Sequence, residues 1–477
     1  MSLHFWIDTA LEVNRRDHTK GLSTSPDCTG PFKSARALGI TLMAMHDAYG
    51  LGHAPQIGPL SPFKATLLPK TVPASRADAA AGAACQALRL LYPGQQQWLD
   101  DQLAASPIDP ASGTVGVEVA QAYYDWRRPI DTPLFAYAGY QPLDFYDHDQ
   151  DPETPGQGFF GDAWGNALPF IEDLSIQPLT PPPGTLPTGG AVAGPVEFLP
   201  GEYYRTELAE VRTDGAVRAD ANYNAKQAIG IYWGYDGSQK LGTPPRLYMQ
   251  LALKVLSTRP PMPEGEWLGL LATAAAGMAD AGIQAWRYKY SPNHNLWRPA
   301  LGVRHAAVLS NDFAHRHWRP LGKPNTNPLT PESPRAGQTP DFPSYPSGHA
   351  TFGAVCMDVL RRGVRRVEGL HFADSADDGI AFSFVSDEFD GSNIDPISGL
   401  KRPRMEVHHP SLWSAIVQNS ESRIWLGVHW RMDGLSRKGS NGVPVSGSPL
   451  TPGELGPYGG VRLGLDIVTA MGKLGRV

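Results

Sequence analysis

Cysteine is scarce in this 477-residue chain, which has only Cys28, Cys85 and Cys356. Three residues so far apart, and odd in number, exclude a disulfide framework and a cysteine-based zinc spacing. Long apolar runs are also missing, and no stretch reaches the ~20 residues of a membrane span. Met1 to Arg16 interrupts its apolar pattern with charges and does not read as a signal peptide, so a soluble protein is expected. Nor is there an excess of one charge sign: 41 Lys and Arg stand against 47 Asp and Glu, a formal net charge of −6. That balance argues against nucleic acid or an acidic membrane as partner, so any cationic site must be local. Alternating strand patterns are few.

What the chain does have is apolar residues, 41% of the total, together with 45 prolines and 51 glycines. This supports a large core built from helices with long loops between them. Helical patterning is expected over Phe5–Arg16, Ser34–Tyr49, Ser75–Leu91 (with Ser75 as N-cap) and Val115–Trp126. From about Arg128 to Asn222 the pattern gives way to a proline- and glycine-rich arm. The pattern returns at Tyr248–Leu256, Glu266–Tyr288, Ser347–Arg362, Trp413–Leu426 and Gly460–Met471, with a second proline-rich loop over Pro320–Pro346. The fold class read from this is all-α, two helical bundles packed together with long connecting loops. The arm is taken as the seam between residues 1–222 and 223–477. The proline-rich stretch 180–194 has no assignment.

Three blocks carry chemistry. Pro346-Ser347-Gly348-His349 sits where a loop becomes a helix. Its first-turn N–H groups are unpaired, Ser347 can cap, and Gly348 allows close approach, so this end suits an oxyanion. His349 could move protons from the same turn, although an ordinary capped helix start would look the same. The second block, Ser422 to Asp433, offers the guanidinium of Arg423 and, six residues on, His429. In an unbroken helix these would lie about 600° apart, a third of a turn from alignment. Gly427 provides a place for the helix to end so that His429 can swing back, and Asp433 could hold its imidazole. A core histidine packed between Trp425 and Trp430 is the plainer reading. The third block is Lys289 followed by Trp297-Arg298-Pro299. Lys289 also suits a helix C-terminus simply as a cation. Trp318-Arg319-Pro320 repeats the tripeptide without an upstream lysine and is set aside. Two arginines, a lysine, a serine, an amide and two histidines together imply a tetrahedral or trigonal-bipyramidal anion, because cations would otherwise repel one another.

These blocks resemble the signature shared by vanadium haloperoxidases and the type 2 phosphatidic acid phosphatase superfamily. The wider chain is similar to fungal chloroperoxidases: Asp280-Ala281-Gly282-Ile283 with Trp286 and Lys289, Tyr235-Asp236-Gly237-Ser238, Tyr345 to Gly353, Ser422 to Arg431, and near the start Leu11 to Arg15 and His46 to Tyr49. The resemblance implies vanadate as cofactor, with hydrogen peroxide, halide and a small organic acceptor as partners. It implies that His429 binds the metal and that His349 is the acid–base group. Arg298, Arg423, Lys289, Ser347 and the Gly348 amide would hold the vanadate oxygens, with Asp236 supporting Arg423. Trp286, Phe342 and Ser344 would line the halide pocket, and the aromatic pair resembles that of enzymes which oxidise chloride as well as bromide. One departure is the spacing of eight residues between Lys289 and Arg298, longer than the family's. It is expected to bulge over Ser291–Leu296 and leave Lys289 on the anion, with His294 or Asn295 as replacements. An acid phosphatase using His429 as nucleophile is the alternative, disfavoured by the chain's length.

Overall fold

The computed structural model describes residues 2–52, 68–144, 146–151, 156–183, 202–217, 223–305, 317–322, 339–440, 443–475 and 477. Among these are fourteen α-helices and two small two-stranded sheets, in agreement with the expected all-α class. The first five helices are α1 Ser2–Asp17, α2 Pro31–Gly50, α3 Arg76–Leu91, α4 Gln96–Ala105 and α5 Pro110–Asp131. They are followed by α6 Glu202–Asp214, α7 Ala225–Tyr232, α8 Pro244–Ser257, α9 Glu264–Lys289 and α10 Pro299–His305. The last four are α11 Gly348–Glu368, α12 Leu412–Trp425, α13 Arg431–Gly434 and α14 Gly459–Lys473. Strand β1, Phe382–Val385, pairs antiparallel with β2, Glu406–His409, in the register Phe382 to His409. Strands β3, Arg437–Lys438, and β4, Pro444–Val445, form the second pair.

Helix α9 is the axis of the molecule. Its middle turns are almost all Ala and Gly and are buried on every face, which lets neighbouring backbones come close. A Cβ on Gly39 of α2 would stand 3.1 Å from that of Ala279, and one on Gly277 would stand 2.8 Å from Val355 of α11. So α9 is gripped by α2 on one side and α11 on the other, and the buried apolar residues of both halves merge into one cluster.

Ser75 caps α3 as expected, accepting from Asp78 N at 3.2 Å. The Arg128–Asn222 arm is less irregular than its composition implies, because it contains α6. Tyr204, Leu208 and Val211, with the Glu207 carboxylate beside them, bury one stripe of that helix, and its other charged residues cover the rest. Helices α4 and α7 also go beyond the sequence pattern; both are short and are held by tertiary contacts. Most of the 180–194 stretch lies outside the described residues.

Candidate active site

Four chain segments converge at the C-terminal end of α9. One is the end of α9 itself, with Lys289. The others are the entry to α10, the loop leading into α11, and the turn between α12 and α13. Arg298 precedes the proline that starts α10 and is completely buried. Its Nε donates to Phe342 O at 2.8 Å and its Nη1 to Val428 O at 2.8 Å. The same Nη1 lies 3.3 Å from His429 Nε2. Helix α12 stops as expected at Gly427, whose φ of +70° turns the chain back. The turn brings His429 against Asp433, with Nδ1 2.8 Å from Oδ2. That carboxylate oxygen also accepts from Trp430 N at 2.9 Å. A carboxylate on Nδ1 keeps the proton there and leaves the lone pair on Nε2, where Arg298 Nη1 meets it.

Ser347 caps α11, accepting from Ala350 N at 3.3 Å, while its own N–H donates to Asp433 O at 2.7 Å. His349 therefore stands in the first turn. Its carbonyl accepts from Tyr248 Oη at 2.8 Å and Asn419 Nδ2 at 3.3 Å, and the Tyr248 ring meets the imidazole edge-on. Arg423 donates through Nη2 to Asp236 Oδ1 at 2.8 Å, the pairing the resemblance implies.

Several polar atoms here have no partner in the protein. Arg298 Nη2 and Arg423 Nε and Nη1 are donors buried without a hydrogen bond, and His349 Nε2 is also unbonded. Leaving so many donors unsatisfied costs about 1–3 kcal/mol each, more for charged groups, unless an acceptor is supplied. Burial pushes Arg298 down to about 9 and depresses Lys289 well below the usual ammonium range. His349 and His429 also lie well below the ordinary imidazole value, through burial and the neighbouring arginines. Burial raises Asp433 to about 7 against the pull of Lys289 and Arg298. A cationic site with neutral histidines, short of negative charge, fits an oxyanion. Among the described residues no group of three or more His, Cys, Asp or Glu could hold a bare cation. A metal here would have to come as an oxyanion with a single histidine ligand.

Lys289 is placed differently from the expectation. Its ammonium donates to the carbonyls of Pro343, Ser344 and Pro346 at 2.7, 3.2 and 2.6 Å, which occupies all three hydrogens. It thus anchors the loop ahead of α11 and contributes charge rather than a free hydrogen. The extra residues form a turn as expected, with His294 N and Asn295 N both donating to Ser291 O. The suggested replacements are engaged elsewhere: His294 contacts Leu179 O and Asn295 bonds Tyr140 Oη and His148 N.

A cavity of about 600 Å³ opens from His429, His349 and Arg423. Trp286 and Phe342 line it, with ring centroids 4.8 Å apart. The Lys289 ammonium lies 5.1 Å from the Phe342 centroid and the Arg298 guanidinium 4.9 Å. Ser344 does not line this cavity; it is fully buried and its hydroxyl has no hydrogen-bond partner. Arg319 of the repeated tripeptide is exposed and apart from the site. Sequence reasoning missed His148, a buried imidazole with neither ring nitrogen bonded, which feels the charges of Arg298 and Lys289. No local motif marks it, since it comes from the irregular arm.

The vanadium chloroperoxidase N-terminal domain model matches residues 2–107, and the model of the second helical-bundle domain of the same enzyme matches 269–439. Between them they account for more than half of the chain. A vanadium chloroperoxidase of Curvularia inaequalis is 28% identical, over 97% of this chain and 88% of the relative. A bacterial vanadium-dependent iodoperoxidase superposes with a TM-score of 0.66 at 18% identity, covering 99% of this chain and 96% of its own. An apo-type bacterial vanadium-dependent chloroperoxidase gives a TM-score of 0.59 at 16% identity, covering 87% and 91%. Both likenesses concern the fold. With both helical domains matched and the residues of the oxyanion site falling within the second, the chain belongs to the vanadium haloperoxidase family.

Proposed function

We propose that this protein holds vanadate at His429 and uses hydrogen peroxide to oxidise bromide, and chloride as well, to a hypohalous acid that halogenates organic acceptors. The carrying observation is the set of buried, unbonded donors on Arg298 and Arg423, with the unbonded Nε2 of His349, beside His429, whose Nδ1 is held by Asp433. Vanadate, when bound, supplies a Lewis acid that activates peroxide without changing oxidation state, so no redox partner is needed. Arg298, Arg423 and the first-turn amide of Gly348 neutralise the oxyanion. Asp433 fixes the His429 tautomer. His349, neutral in its buried setting, would take up a proton at its unbonded Nε2 and return it, serving as the acid–base group of the site. Lys289 adds positive charge and fixes the loop that carries Phe342 and Ser347. The Trp286–Phe342 wall excludes water near these cations, which strengthens their field and favours the harder oxidation of chloride.

The test has two parts. Vanadate-loaded protein should carry one vanadium per chain, and His429→Ala should carry none while keeping its helical circular dichroism. Peroxide-dependent chlorination of a 1,3-diketone in bromide-free, mildly acidic buffer should proceed and should fall in Phe342→His. Bromination without chlorination would make the aromatic pair mere packing. Phosphate monoester hydrolysis without halide oxidation would overturn the reading as a whole.

A further inference from the structure

The cavity is far larger than its proposed inorganic substrates need. A halide and a peroxide require little more than the ~30 Å³ that each water occupies in the liquid, whereas this space measures about 600 Å³. That size lies within the range of small-organic-molecule pockets, roughly 300–1,000 Å³. The inner end is buried, with His429 and Arg423 only 3% and 2% exposed. The outer end reaches solvent between Lys20, Thr24 and Pro26. The cavity is therefore a cleft running from the anion site to the surface.

Its walls are built and fixed. Phe160 is tied at both backbone atoms: its N donates to Asp341 O at 2.8 Å, and its carbonyl accepts from Trp286 Nε1 at 3.1 Å and Tyr290 Oη at 3.0 Å. The Phe160 ring lies over Gly30, where a Cβ would come within 2.6 Å of it. The turn after α1 forms another part of the wall. The Asp17 carboxylate accepts from Asp27 N and Cys28 N, both at 2.9 Å. The His18 ring bridges Asn14 O and Gly30 N, and Lys20 N donates to Gln239 Oε1 at 2.9 Å. A wall held this way costs little ordering on binding.

Trp286, Phe342, Phe352 and Phe160 present aromatic surface along the inner half of the cleft. Beyond the Arg423–Asp236 pair, the charged residues lining it are Asp17, Asp341 and Lys20, a balance that favours neutral ligands over organic anions.

We infer that this cleft binds a neutral, electron-rich aromatic acceptor of about phenol or indole size, so that halogen transfer takes place inside it. The transfer step rests on the haloperoxidase reading; the binding does not. Peroxide, halide and one proton give hypohalous acid and water. The ring carbon then forms its bond to halogen as the halogen–oxygen bond breaks. The displaced ring proton joins the released hydroxide as water.

Calorimetric titration of the protein with its oxyanion site filled by vanadate or phosphate, without peroxide or halide, should show saturable one-to-one binding of phenol and of indole with a Kd near the millimolar range. Binding of 4-hydroxybenzoate should be at least tenfold weaker, and Thr29→Trp, at a residue lining the cleft, should abolish phenol binding. In turnover, the ortho-to-para ratio of bromophenols should differ at least threefold from that of reagent hypobromous acid at the same pH. Halide oxidation with no saturable phenol binding and a product ratio equal to the reagent's would overturn the inference and leave the haloperoxidase reading intact. Saturable phenol binding without any halide oxidation would support the cleft site and overturn that reading instead.

Discussion

Asp236 acts on the site only through Arg423, to which it is bonded at 2.8 Å. Arg423 keeps Nε and Nη1 free for the anion because its remaining Nη2 has a carboxylate to hold it. Removing that carboxylate leaves the guanidinium buried, charged and free to rotate. Asp236→Ala should therefore weaken vanadate affinity by about 10–100-fold, the usual size for a partner that orients a ligand. The loss of thermal stability should be smaller, since bound vanadate itself restores a negative partner. Vanadate titration of the apoprotein beside a melting curve separates the two, and unchanged affinity would refute the orienting role. Lys289 shows how far a residue's identity can be read without its surroundings. The sequence places it at the end of α9 beside the site, which the structure bears out. Its three carbonyl acceptors belong to residues 343–346 and could not be seen from spacing alone. Ser344 and His148 have the same explanation: their partners, or lack of partners, are set by chain segments distant in sequence.

At the scale of elements, the site depends on α12 ending on time. Gly427 adopts φ +70°, and a Cβ there would lie 2.4 Å from Gly215 O and 2.9 Å from Pro320 Cβ. Left-handed strain alone costs about 1–3 kcal/mol, and the contact is with backbone, which cannot yield as a side chain does. Gly427→Ala should lower stability by at least about 2 kcal/mol and should also weaken vanadate binding, because His429 sits two residues on. Chemical denaturation of the apoprotein checks the first effect; a stable variant with normal vanadate affinity would show that the turn is not needed to place His429. This turn was legible in the sequence because its determinants are local: a glycine, a histidine at a fixed offset and an aspartate four further on. The Ser347 cap of α11 was legible for the same reason. Helix α6 was hidden because proline and glycine dominate the arm around it and only three buried apolar residues mark its inner face. The 26-residue α9 was plain, since long apolar patterning without breakers leaves few alternatives.

Across the whole molecule, buried titratable groups set opposing pH limits on stability. Asp17, Asp280 and Glu207 are raised by burial to about 6, 7 and 8 from ordinary values of 3.8, 3.8 and 4.5. Between its ordinary and its raised value, each such carboxyl binds a proton in the folded state but not in the unfolded one. Its contribution is therefore full below the ordinary value and is lost as pH rises through the folded one. Buried histidines act in the opposite sense. His18 and His409 fall to about 4, and His148, His349 and His429 lie well below the ordinary value of 6.5. Each is protonated in the unfolded chain but not in the folded one as pH falls below 6.5, so stability is lost on the acid side. Above pH 6.5 the histidines no longer oppose the carboxyls, and Asp280, Asp433 and Glu207 set a falling slope that the depressed Lys289 opposes. The melting temperature of the vanadate-free protein should thus peak near pH 6 to 6.5 and decline toward pH 8, a direction that follows from the sign of each shift. Glu207 accepts from Met432 N at 2.8 Å, at the start of α13 and close to the site. Glu207→Gln keeps an acceptor there while removing the ionisation, so it should flatten the alkaline decline with little change at pH 5. Melting curves of the two proteins from pH 5 to pH 8 decide the matter: parallel profiles would show that Glu207 does not ionise in that range and that the alkaline limit arises elsewhere.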